Sequence, residues 1–134
     1  MKRYFLFLIL ILFCFGCKEV SSPAAPILPG SAADVILDGN MLRYNNQYGF
    51  PQFTGYLKNI GTDPAYNPVI EIKCYSDAAK ASIIDVAVGV PANTYSLQPN
   101  QRAWFAAVAY RLTSHSQIQA FDYNIWWSNR KKYN

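Results

Sequence analysis

The chain predicts an all-β fold, an antiparallel β-sandwich of about seven short strands. Three observations carry this expectation. From Asp34 onward, apolar and polar residues alternate in short runs, which is the period of a half-buried strand. Turn residues separate these runs at roughly the 8–12-residue spacing of sandwich strands. No stretch sustains a 3.6-residue apolar stripe of helical length.

Ahead of the strands, Met1-Lys2-Arg3 precede an apolar run from Tyr4 to Phe15, and Gly16-Cys17 follow. As a helix at ~1.5 Å per residue, Tyr4 to Gly16 reaches only ~20 Å, against a bilayer core of about 30 Å. A charged start, a short apolar stretch and the polar Lys18-Glu19 beyond it form the layout of a cleaved export signal. The box Cys14-Phe15-Gly16-Cys17 resembles the processing site of bacterial lipoproteins; Gly16 and Cys17 match, while Cys14 and Phe15 depart from the pattern. The resemblance implies that residues 1–16 are a signal peptide and that Cys17 is the acylated first residue of the mature protein. It also implies a lipid anchor in the bacterial cell envelope. Lys18, rather than Asp, after Cys17 points by the enterobacterial sorting pattern to the outer membrane. Residues 17–33 comprise this cysteine and a Pro/Ser/Ala-rich tether. Pro23, Pro26 and Pro29 recur every third residue and favour extended polyproline II. At ~3.1 Å per residue the tether reaches up to ~50 Å.

Residues 34–134 are expected to form the sandwich domain. Val35-Ile36-Leu37 and Met41-Leu42-Arg43-Tyr44 flank Asp38-Gly39-Asn40, a hairpin or bend signal. Gln52 to Asn59 alternates, with Phe53, Gly55 and Leu57 on one face and Thr54, Tyr56 and Lys58 on the other; Asn59 to Pro64 then breaks it. Val69 to Tyr75 places Ile70, Ile72 and Cys74 inward against Glu71 and Lys73. Ser76 to Ser82 reads as a loop, and Ile84, Val86, Val88 and Val90 repeat the period up to Pro91. Arg102 to Arg111 carries Phe105, Ala107 and Ala109 on one face, with Trp104 and Tyr110 opposite. In Ile118 to Trp127, Phe121, Tyr123, Ile125 and Trp127 share a face and Trp126 lies opposite.

Three segments carry a second resemblance: Gly55-Tyr56-Leu57-Lys58-Asn59-Ile60-Gly61, Ala65 to Asp77, and Leu97-Gln98-Pro99-Asn100-Gln101-Arg102-Ala103-Trp104-Phe105. Over residues 52–127 the chain resembles the FxLYD-type domains, small immunoglobulin-like β-sandwiches of exported bacterial and archaeal proteins. The resemblance implies an immunoglobulin-like sandwich whose matched residues serve packing. Gly55 then suits close approach of a large side chain such as a tryptophan, Asn59 caps a turn through its amide, and Asn100 stands where the family has Gly, at a position of positive φ. Phe105 is then a core anchor.

Composition narrows the function classes. The formal net charge of +4 owes two units to Lys2 and Arg3, which leave with the signal. Arg130-Lys131-Lys132 is the one basic cluster and reads as a solubilising tail, so no nucleic-acid partner is expected. Cys74 is the only cysteine within residues 34–134, which leaves no disulfide inside the domain and predicts a core thiol. No catalytic constellation assembles around His115, the one histidine, even with Asp122 as a partner. Asp34, Asp38 and Asn40 offer oxygen ligands without the rest of a calcium loop. No enzyme activity, metal or cofactor is therefore expected.

Aromatic residues carry the functional hint. Trp104, Tyr110, Trp126 and Tyr56, joined by Tyr44 and Tyr48, are candidates for an outward surface rimmed by Asn and Gln. The expectation is a non-catalytic, membrane-anchored module that binds an envelope protein; the alternative is a carbohydrate-binding module whose exposed Trp and Tyr rings hold a glycan.

Overall fold

The structure, a computed structural model, describes residues 33–128. The expected signal peptide, Cys17, the expected tether up to Ser31-Ala32 and Arg130-Lys131-Lys132 lie outside the described residues, while Ala33, expected to end the tether, packs against the core. Eight strands follow in chain order: β1 (Val35–Leu37), β2 (Leu42–Asn45), β3 (Pro51–Asn59), β4 (Ala65–Tyr75), β5 (Ile83–Pro91), β6 (Ser96–Leu97), β7 (Arg102–Val108) and β8 (Ala120–Ser128). A single 3-10 turn, His115–Gln117, precedes β8. The sheet runs β1-β3-β7-β5-β4-β6, with β2 also on β3 and β8 also on β4, and every pairing is antiparallel. The all-β antiparallel sandwich expected from the alternation is thus the observed fold.

The two layers are made by a strand that changes partners. β5 pairs with β4 from Ile83 to Gly89 and with β7 from Gly89 to Pro91, so Gly89 belongs to both ladders. Strands that switch sheets make the corners of sandwiches. The layer of β1, β2, β3 and β7 then packs on that of β4, β5 and β8: the rings of Phe53 and Phe121 lie 5.3 Å apart across the core. Arg43 closes the same side, donating to the Ile118 carbonyl at 3.0 Å. The core comprises Phe53, Leu57, Ile70, Ile72, Cys74, Ala87, Leu97, Phe105 and Ala107, all fully buried, with Phe121, Ile125 and Trp127 packed against it.

Particular residues explain where each strand stops. At Asp38-Gly39-Asn40 the chain bends rather than forming a hairpin. β1 pairs with Leu57–Asn59 and β2 with Pro51–Thr54 along the same edge of β3, leaving Asp38 to Met41 opposite Gly55 and Tyr56. This is a two-residue bulge that interrupts an edge strand, an arrangement that discourages edge-to-edge pairing. β4 begins at Ala65, ahead of the expected Val69, and crosses an irregularity at Asn67-Pro68, where Asn67 adopts φ 48°. Ser76 to Ser82 is a loop as expected. Asp77 accepts the backbone N–H groups of Ala81 and Ser82, and these bonds, that of Ala81 foremost, hold its carboxyl below the usual range.

Two expected turn residues are found in their roles. Asn100 has φ 64°. Asn59 is fully buried, and its amide ties three segments together: Oδ1 accepts from Asp34 N at 3.1 Å and Gly61 N at 3.0 Å, while Nδ2 donates to Asp63 O at 2.7 Å and Leu97 O at 2.9 Å. Gly55 does accommodate a large side chain, but it is Phe105, not a tryptophan: a Cβ on Gly55 would lie 3.0 Å from that ring.

Candidate functional site

Alternation fixes a strand's period but not which face turns inward, and β5 makes the difference plain. Its buried residues are Asp85, Ala87, Gly89 and Pro91. Val86, Val88 and Val90 point outward and are 41%, 56% and 58% exposed. Small residues are required inside because β5 lies close to β7: a Cβ on Gly89 would sit 3.0 Å from both Ala106 O and the Phe105 ring. The branched side chains therefore take the outer face, where they form an apolar stripe. Across the sheet, Val88 is the partner of Glu71 and Val86 of Lys73, and beyond these stand Asn124 and Asp122 on β8. Glu71 and Lys73 pair at 3.9 Å, and Lys80 pairs with Asp122.

All four aromatic candidates are exposed, on three separate parts of the surface. Tyr56 and Trp104 are register partners on the outer face of β3 and β7. One face of Tyr56 is covered by the Arg102 guanidinium, 3.7 Å from the ring centre, and Arg102 is itself fixed by Asp38 at 2.7 Å. Tyr110 lies just past the other end of β7 and packs edge-on against Phe50, with ring centres 5.7 Å apart. Trp126 stands on β8 beside Val69. Trp126 and Trp104 stand on strands of opposite layers, with β5 and β4 between β7 and β8 in the strand order. Tyr44 and Tyr48 are exposed near the β2–β3 turn, where the Tyr44 hydroxyl accepts from Gln52.

The polar candidates have structural partners. His115 bonds to Asn45 Oδ1 through its backbone N–H at 2.8 Å and lies 3.1 Å from it through Nδ1, whereas Asp122 is engaged by Lys80. Asp38 serves Arg102, and the Asp34 backbone serves Asn59 and Ile60. Among the described residues no three His, Cys, Asp or Glu side chains gather to hold a metal ion, and no helix is long and apolar enough to cross a membrane. The buried Asp85 closes the gap where β5 and β7 part, its two oxygens accepting from Val86 N at 2.8 Å and Arg111 N at 2.9 Å.

Cys74 is a fully buried thiol on β4. Burial, with a smaller contribution from Asp85 opposite, pushes its pKa up to about 11. At pH 8 it is expected to stay protonated and to react with iodoacetamide only as fast as the domain opens. Alkylation at the rate of a free thiol in native buffer would contradict that placement.

Two surface depressions accompany these features. One of about 380 Å³ lies between Ile83–Val86 and Val108, Tyr110 and Arg111. The other, of about 650 Å³, lies at the far end of β5 and is lined by Asn67, Pro68, Val69 and the segment Val90–Tyr95. Tyr95 and the outward valines are surface residues that the pattern of the sequence did not single out. Tyr95 sits in a turn-rich stretch, Pro91 to Pro99, and the valines share their strand with a second set of small, largely apolar residues, so neither face of β5 announces itself. No family model, no curated protein and no solved structure matches the chain.

Proposed function

We propose that this protein is a lipid-anchored extracytoplasmic module, tethered through Cys17, whose sandwich docks another envelope protein without catalysing a reaction. The observation that carries the docking reading is the outward stripe of Val86, Val88 and Val90, three half-exposed branched side chains on the outer face of β5. Exposed apolar surface of this kind, bordered by charged residues such as Glu71 and Lys73, is typical of protein contacts. The anchoring half rests on Gly16-Cys17 after a short apolar run, and the resemblance of residues 52–127 to FxLYD-type domains supports an exported binding module.

Each half has its own experiment. Metabolic palmitate labelling is expected to tag the protein, and Cys17→Ala to abolish the tag; a label that survives the substitution removes the anchor. A photo-crosslinking residue at Val88, introduced in the native host, is expected to give a discrete adduct with one envelope protein, while the same residue at Lys58 gives none. If Val88 yields no adduct, the docking reading fails.

A further inference from the structure

The larger groove is produced by the topology. β5 and β6 pair with the same edge of β4, opposite β8: Ile70 to Tyr75 carry both β5 and β8, and Tyr66 carries both β6 and β8. Between β5 and β6 the chain bulges away from β4, and Asn67 N–H donates to Tyr95 C=O at 2.7 Å where it returns. The bulge leaves Val69 and Val90 as a floor, with Pro68, Pro91 and Ala92–Tyr95 around it. Trp126 is the cross-strand partner of Val69, which places its exposed indole at the β8 side of that floor. Tyr95 is 88% exposed, the most of any large apolar side chain among the described residues.

Two amides complete the lining. Asn67 and Asn93 both hold left-handed backbone, φ 48° and 60°, a conformation a side chain adopts at some cost and Asn more readily than most. Neither amide side chain hydrogen-bonds to another described residue, so both keep donors and acceptors for a ligand. No Asp, Glu, Lys or Arg lines the groove. Flat exposed rings suit the apolar faces of pyranose sugars, free amides suit their hydroxyls, and the lack of charge disfavours acidic glycans.

We propose that the groove lined by Asn67, Val69, Val90, Asn93 and Tyr95, with Trp126 next to Val69 on the neighbouring strand, binds a neutral oligosaccharide. The site takes one residue, Trp126, from the aromatic set expected from the sequence and leaves out Tyr56, Trp104 and Tyr110. It adjoins the protein-docking stripe and shares Val90 with it, while Val86 and Val88 lie outside the groove.

The test is calorimetric titration of the full-length chain, in a non-saccharide detergent, with chitohexaose, cellohexaose and maltohexaose. At least one is expected to bind with a Kd of about 1 mM or tighter. Tyr95→Ala and Asn93→Ala, both surface changes, are expected to weaken that binding about tenfold or more, while Trp104→Ala and Val88→Asp leave it within about twofold. Circular dichroism of each variant checks that the fold is intact. No heat from any of the three sugars at ~10 mM overturns the proposal, as does binding that survives Tyr95→Ala and is lost in Trp104→Ala. Loss of the Val88 crosslink with sugar binding retained would reject the docking reading alone.

Discussion

Asn59→Ala is expected to destabilise the domain by about 3–5 kcal/mol, lowering the thermal midpoint by roughly 15–30 °C. Each of the four hydrogen bonds of the Asn59 amide contributes only about 1 kcal/mol net. Their loss also strands groups that water reaches poorly, the Leu97 carbonyl above all, whose bond to Asn59 is wholly buried. A buried acceptor left without a partner costs about 1–3 kcal/mol. Asn59→Asp separates the two halves of the role. The carboxylate can still accept from Asp34 and Gly61, but it has no N–H for Asp63 O and Leu97 O and brings a charge into a fully buried position. It is therefore expected to be no more stable than the alanine variant. Thermal melts followed by circular dichroism decide this; a loss under about 1 kcal/mol for Asn59→Ala would reject the amide as the joint between β1, β3 and β6.

Phe105→Ala is the second large effect, expected to cost about 3–5 kcal/mol. The ring is fully buried and passes over Gly55 on β3 and Gly89 on β5, the strands on either side of β7. The two glycines are expected to respond unequally. An alanine Cβ at Gly55 meets only side chains, Phe105 at 3.0 Å and Leu37 at 3.4 Å, which can shift. At Gly89 it meets the Ala106 carbonyl oxygen as well as Phe105, each at 3.0 Å. Backbone of a paired strand cannot yield without breaking the ladder. Gly89→Ala is expected to cost more than Gly55→Ala in urea unfolding at equal m-value, and the reverse order would refute this account of the switch between layers.

Much of the fold was legible because alternation survives wherever one face is polar. Glu71 and Lys73 fix the facing of β4, and Tyr56 and Lys58 do so for β3, where Thr54 on the same face is buried. On β5 that contrast fails: the inward set includes Asp85 and the outward set is all valine, so the decisive information is the distance to β7, which no local pattern contains. β6 is two residues long and exists through its pairing with Ala65 and Tyr66, again a long-range cause. The β2–β3 turn had a local signal in Asn46 and Gly49: Asn46 Oδ1 accepts from Tyr48 N and Phe50 N, and its backbone oxygen from Gly49 N. For the site, exposure of Trp104, Trp126 and Tyr56 agreed with their strand positions and Tyr110 is exposed beyond the end of β7, but their dispersal over three regions follows from strand order, which chain order does not reveal. Asn67, Asn93 and Tyr95 come together because the chain between β5 and β6 bulges away from β4 and returns to the same edge, and nothing in their spacing encodes that.

The clamp around Asn59 has a mechanical meaning. A pull on the chain ahead of Ala33 reaches the domain at Asp34, whose N–H is held by Asn59 Oδ1 and whose carbonyl is held by Ile60 N–H at 2.7 Å. Behind this joint, β1 offers three residues of ladder before the bulge at Asp38. Tension would therefore be resisted at one buried amide before any strand unzips, and load applied at the N-terminus would be shared at once with β3 and, through Leu97, with the opposite layer. The entry point of the domain works as a strain relief, like the collar where a cable enters its housing.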